Sequence, residues 1–149
     1  MDLSELRKNR RITETHADAE QITALIAVAM RDMEDAGILL KNSRFDGAYT
    51  VAYNAMLQMT RALMFSYGFR PAEEEHHKIA IEFAECVLPQ EIRPLVRLFD
   101  RMRRKRHENI YDVAGKTSEF QAREALETAQ KYAALLERKI KEKMIRNRT

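Results

Sequence analysis

The stretch Asp46-Gly47-Ala48-Tyr49-Thr50-Val51-Ala52-Tyr53-Asn54-Ala55-Met56-Leu57-Gln58-Met59-Thr60-Arg61-Ala62-Leu63-Met64-Phe65-Ser66-Tyr67-Gly68 decides the fold. Val51, Ala52, Ala55, Met56, Met59, Ala62 and Leu63 recur at steps of one and three. That rhythm gathers apolar side chains on one side of an α-helix and does not fit the period of two that a strand needs. Gly68 suits the left-handed residue that closes a helix, and Pro71 follows where the helix cannot continue.

Helical reading extends outward in both directions. Upstream, a helix starts near Thr15 or Asp18 and carries Ile22, Ile26, Ala29, Met33, Ala36 and Leu40 on one stripe, until Asn42-Ser43 ends it. Downstream, a third helix is expected over Ala72 to Val87, with Glu73, Glu74 and Glu75 in its first turn, where the helix dipole favours acids, and Pro89 at its end. A fourth starts between Glu91 and Pro94 and runs through Leu95, Leu98 and Phe99 into a basic segment. The span from Asp112 to Thr117 is expected to be a loop, after which Ser118 and Gln121 form a capping box for a last helix. Leu126, Ala129, Ala133, Leu136, Ile140 and Met144 form the seam of that helix.

The expected fold is therefore all-α, an up-and-down helical bundle of about five helices, with no strand pattern and no internal repeat. Residues 1–17 read as a polar leader, 18–145 as one helical domain and 146–149 as a basic tail. Composition agrees: 45% of 149 residues are apolar, and only four are glycine and three proline.

One cysteine, Cys86, excludes an internal disulfide and a cysteine-rich zinc site, and its apolar neighbourhood suggests a packed thiol rather than a nucleophile. No cluster of carboxylate, Cys or His ligands stands out, so neither a metal nor a cofactor is expected. No apolar segment is long enough to span a bilayer and no signal peptide precedes the first helix. A cytoplasmic location without membrane contact follows as the expectation.

The net charge is only +3, yet Arg97 to His107 holds six Arg or Lys against one acid, Asp100. A second basic run occupies Arg138 to Arg148. Such clustering points to a polyanionic partner, while a solvated helix end is the plainer alternative.

Read together, these segments resemble the HEPN domain (higher eukaryotes and prokaryotes nucleotide-binding) over about residues 18 to 145. The helix from Asp46 to Gly68 is similar to the family's aromatic, alanine-rich helix ending in glycine. His76-His77-Lys78-Ile79 resembles the histidine-bearing start of its next helix. Arg106-His107-Glu108-Asn109-Ile110-Tyr111-Asp112 resembles its signature region.

The resemblance implies an RNA-binding or metal-independent RNA-cleaving protein that acts as a homodimer in a toxin–antitoxin or defence setting. It also implies a nucleotidyltransferase-type antitoxin partner. In that family an arginine, usually followed by a polar residue, precedes a histidine by four to six positions, and two chains pair their motifs across one cleft. The histidine moves a proton at a ribose 2′-hydroxyl while the guanidinium holds charge on the phosphate.

Two registers fit the motif here. Arg101 and His107 make one pair, although about 120° separates them around a helix and Met102 occupies the polar position. In the preferred register Arg106 and His107 are the arginine and its polar follower, and Tyr111 stands where the histidine belongs. A phenol titrating near ~10 is a poor base at neutral pH. That register favours binding over cleavage. Arg103 and His107, four apart, form a further Arg/His pair on one helix face.

Arg101, Arg103, Arg104 and Lys105 are the candidate phosphate contacts. Neighbouring cations should hold His107 toward its neutral form. His76 and His77, being adjacent, are expected on different faces in a polar or packing role, and Tyr49 and Tyr53 as ordinary packing. The plain alternatives are a helical domain whose basic face docks an acidic protein, and a dimerising scaffold with no chemistry.

Overall fold

The computed structural model describes residues 2–111 and 116–148, with residues 108–111 described by backbone only. Six α-helices appear among them: α1 (Leu3–Lys8), α2 (Ala19–Lys41), α3 (Phe45–Ser66), α4 (His76–Val87), α5 (Arg93–Tyr111) and α6 (Glu119–Arg148). A short antiparallel pair of strands, β1 (Ile12–Glu14) and β2 (Phe69–Pro71), completes the set with a 3-10 turn at Gln90–Ile92. The architecture is the expected all-α bundle.

Helix ends follow local chemistry. The Asp18 carboxylate accepts from the Gln21 amide N–H at 2.8 Å while the Gln21 side chain accepts from Asp18 N–H at 2.9 Å, a complete capping box for α2. Ser118 and Gln121 make the same reciprocal pair at 3.1 and 3.0 Å for α6. Gly68, with φ of +84°, turns the chain out of α3 in a conformation that costs a residue with a Cβ.

α3 is the centre of the bundle. Ala52, Tyr53, Met56, Met59, Ala62, Leu63 and Met64 are all buried on it, and it packs mainly against α2 and α6. Two hydrogen bonds fix the direction of α6 along it. Thr117 N–H donates to Asp46 at the start of α3 at 3.0 Å, and Asn147 donates to the Ser66 carbonyl at its end at 2.9 Å. The two helices therefore run parallel. Between them the Tyr132 and Thr60 hydroxyls meet at 2.6 Å in full burial, and Thr60 also donates to the Met56 carbonyl at 2.8 Å. Burial pushes the Tyr132 phenol up, so it stays protonated.

Three expectations need correction. Within residues 1–17, read as a polar leader, Leu3–Lys8 forms α1 and Ile12–Glu14 forms β1. Leu6 is wholly buried in the core, and Ile12 pairs with Pro71 across the strands. Arg11 ties this segment down through ion pairs to Glu75 at 2.8 Å and to Glu82. The strands escaped notice because three residues each are too few to display a period of two.

The third correction concerns α4, which begins at His76 rather than Ala72, so Glu73–Glu75 precede the helix. Ala72 N–H is already used by the Arg11 carbonyl, and Glu75 takes a left-handed φ of +56°, which no α-helix tolerates in its interior. No helix among the described residues is long and apolar enough to cross a membrane.

Candidate functional site

α5 sorts its cations by helical geometry. Val96, Phe99 and Met102 are buried on one stripe, and one further turn along it brings Arg106 to the inward face. Arg101, Arg104 and His107 are exposed on the outside, while Arg103 and Lys105 lie at the border, half-buried. Asp100 holds two of these groups, Arg103 at 3.0 Å and Arg104 at 3.5 Å. Lys105 donates to the Lys116 carbonyl at 3.4 Å. Arg101 has no carboxylate partner among the described residues.

The predicted site residues thus divide. Arg101 and His107, the first register, both reach solvent. In the second register Arg106 points inward and its neighbour His107 outward, so the two are not brought together. Arg103, offered with His107 as a third pair, is engaged by Asp100. The side chain of Tyr111 lies outside the described residues.

What the fold does bring to Arg106 comes from other helices. Its guanidinium carbon sits 5.7 Å from the centroid of the Tyr53 ring on α3, a cation–π distance. The Tyr53 hydroxyl is 2.8 Å from Nδ1 of His77 on α4, and the two rings stack with centroids 5.7 Å apart. Phe99 packs on the other side of Tyr53 at 5.4 Å. Arg106 Nε is buried with no hydrogen-bond partner among the described residues. A buried guanidinium donor left unpaired carries a desolvation cost, which is the usual sign of a group awaiting an acceptor.

Arg106 and His77 open onto a cleft of about 660 Å³ whose lining also includes Arg61 of α3, Arg70 of β2 and His76 of α4. Among the described residues none of the three arginines is paired with a carboxylate, and Glu73 is the only acid on the wall. His76 and His77 were expected on different faces. In the structure their rings are 4.6 Å apart and both line the cleft. A step of about 100° around a helix separates Cβ directions without sending rings at a helix start to different surfaces.

The electrostatics are one-sided. Burial lowers the His77 pKa, and His76, Arg106, Arg103 and Arg61 add to the effect in that order, bringing it to about 4. His77 is therefore neutral at physiological pH. Burial likewise raises the Tyr53 phenol, with Arg106 and Arg103 opposing, so it stays protonated.

Sequence reasoning missed Arg61, Arg70 and His77 as functional candidates. A signal for Arg61 existed: Asn54, Gln58 and Arg61 stand at i, i+4 and i+7 on a helix otherwise almost wholly apolar, and all three line the cleft. Elsewhere, burial raises the Cys86 thiol pKa, in keeping with a packed side chain. Among the described residues no three His, Cys, Asp or Glu side chains gather to hold a metal ion.

Comparison with known proteins places these features in a family. No curated protein matches the chain. The crystal structure of TT1696 from Thermus thermophilus shares the fold, with a TM-score of 0.63 and 20% identity over 80% of this chain and 98% of that one. The model of the HEPN domain matches residues 22–139, from α2 through most of α6 and including the whole of α3, α4 and α5. The chain belongs to the HEPN domain family.

Proposed function

We propose that the protein binds RNA as a homodimer through the outer face of α5, with Arg101, Arg104 and Lys105 contacting phosphates and His107 beside them. The observation that carries this reading is the sorting of α5, which leaves Arg101, Arg104 and His107 together in solvent. Guanidinium groups so placed attract a phosphate backbone, release its counterions and position it without reading sequence. A two-fold pair of chains would set two such faces across one groove, as the family's composite sites require.

Cleavage is the finer part of the proposal. His107 would take the 2′-hydroxyl proton as that oxygen attacks the adjacent phosphorus, the P–O5′ bond would break to leave a 2′,3′-cyclic phosphate, and the imidazolium would return the proton to the departing 5′-oxygen while Arg101 holds the charge on the phosphate. With Tyr111 in the motif's histidine position instead, binding persists and cleavage is weak. The setting proposed is a toxin–antitoxin or defence module, in which a nucleotidyltransferase-type protein is the antitoxin partner.

The test is fluorescence anisotropy of a labelled single-stranded RNA over a series of salt concentrations. Wild-type affinity should fall steeply with salt. The double variant Arg101→Glu, Arg104→Glu should bind more weakly at every salt, with a slope shallower by about 0.7 for each phosphate that is no longer neutralised. Equal affinity in wild type and variant would sink the reading.

A further inference from the structure

Three features of the molecule stand outside the reading above: exposed apolar side chains, a mixed-charge hollow and the arginine-lined cleft. Ile38, Phe120 and Ile145 are 59%, 73% and 63% exposed, but nothing indicates what would cover them. A hollow of about 480 Å³ beside α4 and α5 mixes Glu82 and Glu85 with Arg93 and Arg97, so its charges largely answer each other. The cleft behind α5 is different, because its charges are almost all of one sign and its arginines lack carboxylate partners among the described residues.

We propose that this cleft is a binding site for a terminal phosphate group, gripped by Arg61 and Arg106 with the neutral imidazole of His77 as a third donor. The site stands on the inner side of α5 and does not depend on the RNA-binding reading of the outer face.

Arg106 lines the open cavity, and among the described residues its guanidinium meets no carboxylate and its buried Nε no acceptor, so its charge is left for an anion that enters. Arg61 lines the same cavity, its guanidinium placed by a 3.0 Å hydrogen bond to the Gln58 side chain. Planar guanidinium forks match the oxygens of a phosphate, and two of them neutralise a dianion.

His77 fits the same ligand through its hydrogen bonding. The buried Tyr53 hydroxyl and Nδ1 share a 2.8 Å hydrogen bond, and with the hydroxyl as donor the imidazole proton sits on Nε2. A neutral ring in that tautomer offers an N–H to an oxygen acceptor at any pH where it stays unprotonated. It is a donor and not a base, so the site binds without performing proton transfer.

The start of α4 adds to this. His76 and His77, its first two residues, both line the cleft, and among the described residues no side chain caps this helix end. A cavity of this volume has room for a phosphate bearing a nucleoside-sized substituent.

The ligand's shared chemistry is a phosphomonoester, which either a free nucleotide or the end of an RNA strand supplies. Calorimetry on the full chain decides between them, using inorganic phosphate, adenosine monophosphate, and one short oligoribonucleotide with and without a 5′-phosphate. Binding of phosphate and the mononucleotide is expected. A preference for the 5′-phosphorylated strand over its hydroxyl form, without mononucleotide binding, would support the site and assign the strand end as its source.

Arg61→Gln, Arg106→Gln and His77→Leu should each weaken binding by about tenfold or more, and His77→Gln, which keeps an N–H near the Nε2 position, should recover part of the loss. The Arg101→Glu, Arg104→Glu variant should bind phosphate as wild type does, so failure of the outer-face reading leaves this one standing. Should Arg106→Gln not fold, the wild-type His77 ring resonances still report, because phosphate addition must shift them. Absence of that shift and of calorimetric heat at millimolar phosphate would overturn the proposal. So would binding that survives unchanged in folded Arg61→Gln and His77→Leu.

Discussion

The Tyr53 hydroxyl lies 2.8 Å from Nδ1 of His77, joining the central helix α3 to the first turn of α4 beneath the guanidinium of Arg106. One bond therefore holds the imidazole in place, satisfies a buried phenol and fixes one wall of the cleft. Loss of the hydroxyl in Tyr53→Phe frees the imidazole to rotate and leaves Nδ1 without this partner.

The pH response of the fold should report this histidine. Its pKa is depressed to about 4 in the folded chain, against 6.5 when unperturbed. The groups facing it are Tyr53 and Arg61 from α3, His76 from α4, and Arg103 and Arg106 from α5. For a depressed pKa the unfolded chain binds the proton first. The stabilising contribution is therefore complete above pH ~6.5 and is lost as pH falls toward about 4. Thermal unfolding midpoints should drop between pH 7 and pH 4.5, and the drop should shrink in His77→Gln. A variant with the same pH profile as wild type would remove His77 from the account.

In the core, Tyr132→Phe should cost about 1 kcal/mol in urea unfolding, because one buried hydrogen bond to Thr60 is removed. The cost stays small since the Thr60 hydroxyl keeps the Met56 carbonyl as acceptor and no polar atom is orphaned. A loss above ~3 kcal/mol would mean that the pair supports more of the α3–α6 packing than its single bond.

Gly68→Ala should destabilise by about 1 kcal/mol or more, since its φ of +84° strains any residue with a Cβ. The nearest obstruction to that Cβ is the Thr15 carbonyl at 3.7 Å, an ordinary van der Waals distance, so the cost is conformational rather than steric. Chemical denaturation measures it, and a neutral result would contradict the backbone geometry at this turn.

The register of the Arg/His motif is settled by cleavage of labelled RNA with a chelator present. If Arg101 and His107 are the working pair, His107→Ala abolishes cleavage and Tyr111→Phe changes little. If Arg106, His107 and Tyr111 hold the motif positions, wild type cleaves weakly and Tyr111→His creates or raises activity, because an imidazole titrates near pH ~6.5 and a phenol does not. Strong wild-type cleavage that vanishes in His107→Ala establishes the first register.

Local chemistry made the helices legible in advance. The stripe from Val51 to Leu63, the Ser118–Gln121 capping box and Gly68 act within a few residues of themselves, and each appears in the structure as the sequence implies. The cation cluster on α5 was equally plain, because it is contiguous in the chain. The strands β1 and β2 were not, since each is three residues long and exists only through its partner. Nor was the late start of α4, which depends on Arg11 claiming the Ala72 N–H and the Glu75 carboxylate ahead of His76. The cleft is the clearest case. Arg61, His77 and Arg106 belong to three helices, and no spacing links them along the chain. Packing of α3 against α4 and α5 brings them together, and that packing decided that the inward arginine of the basic segment would meet a histidine.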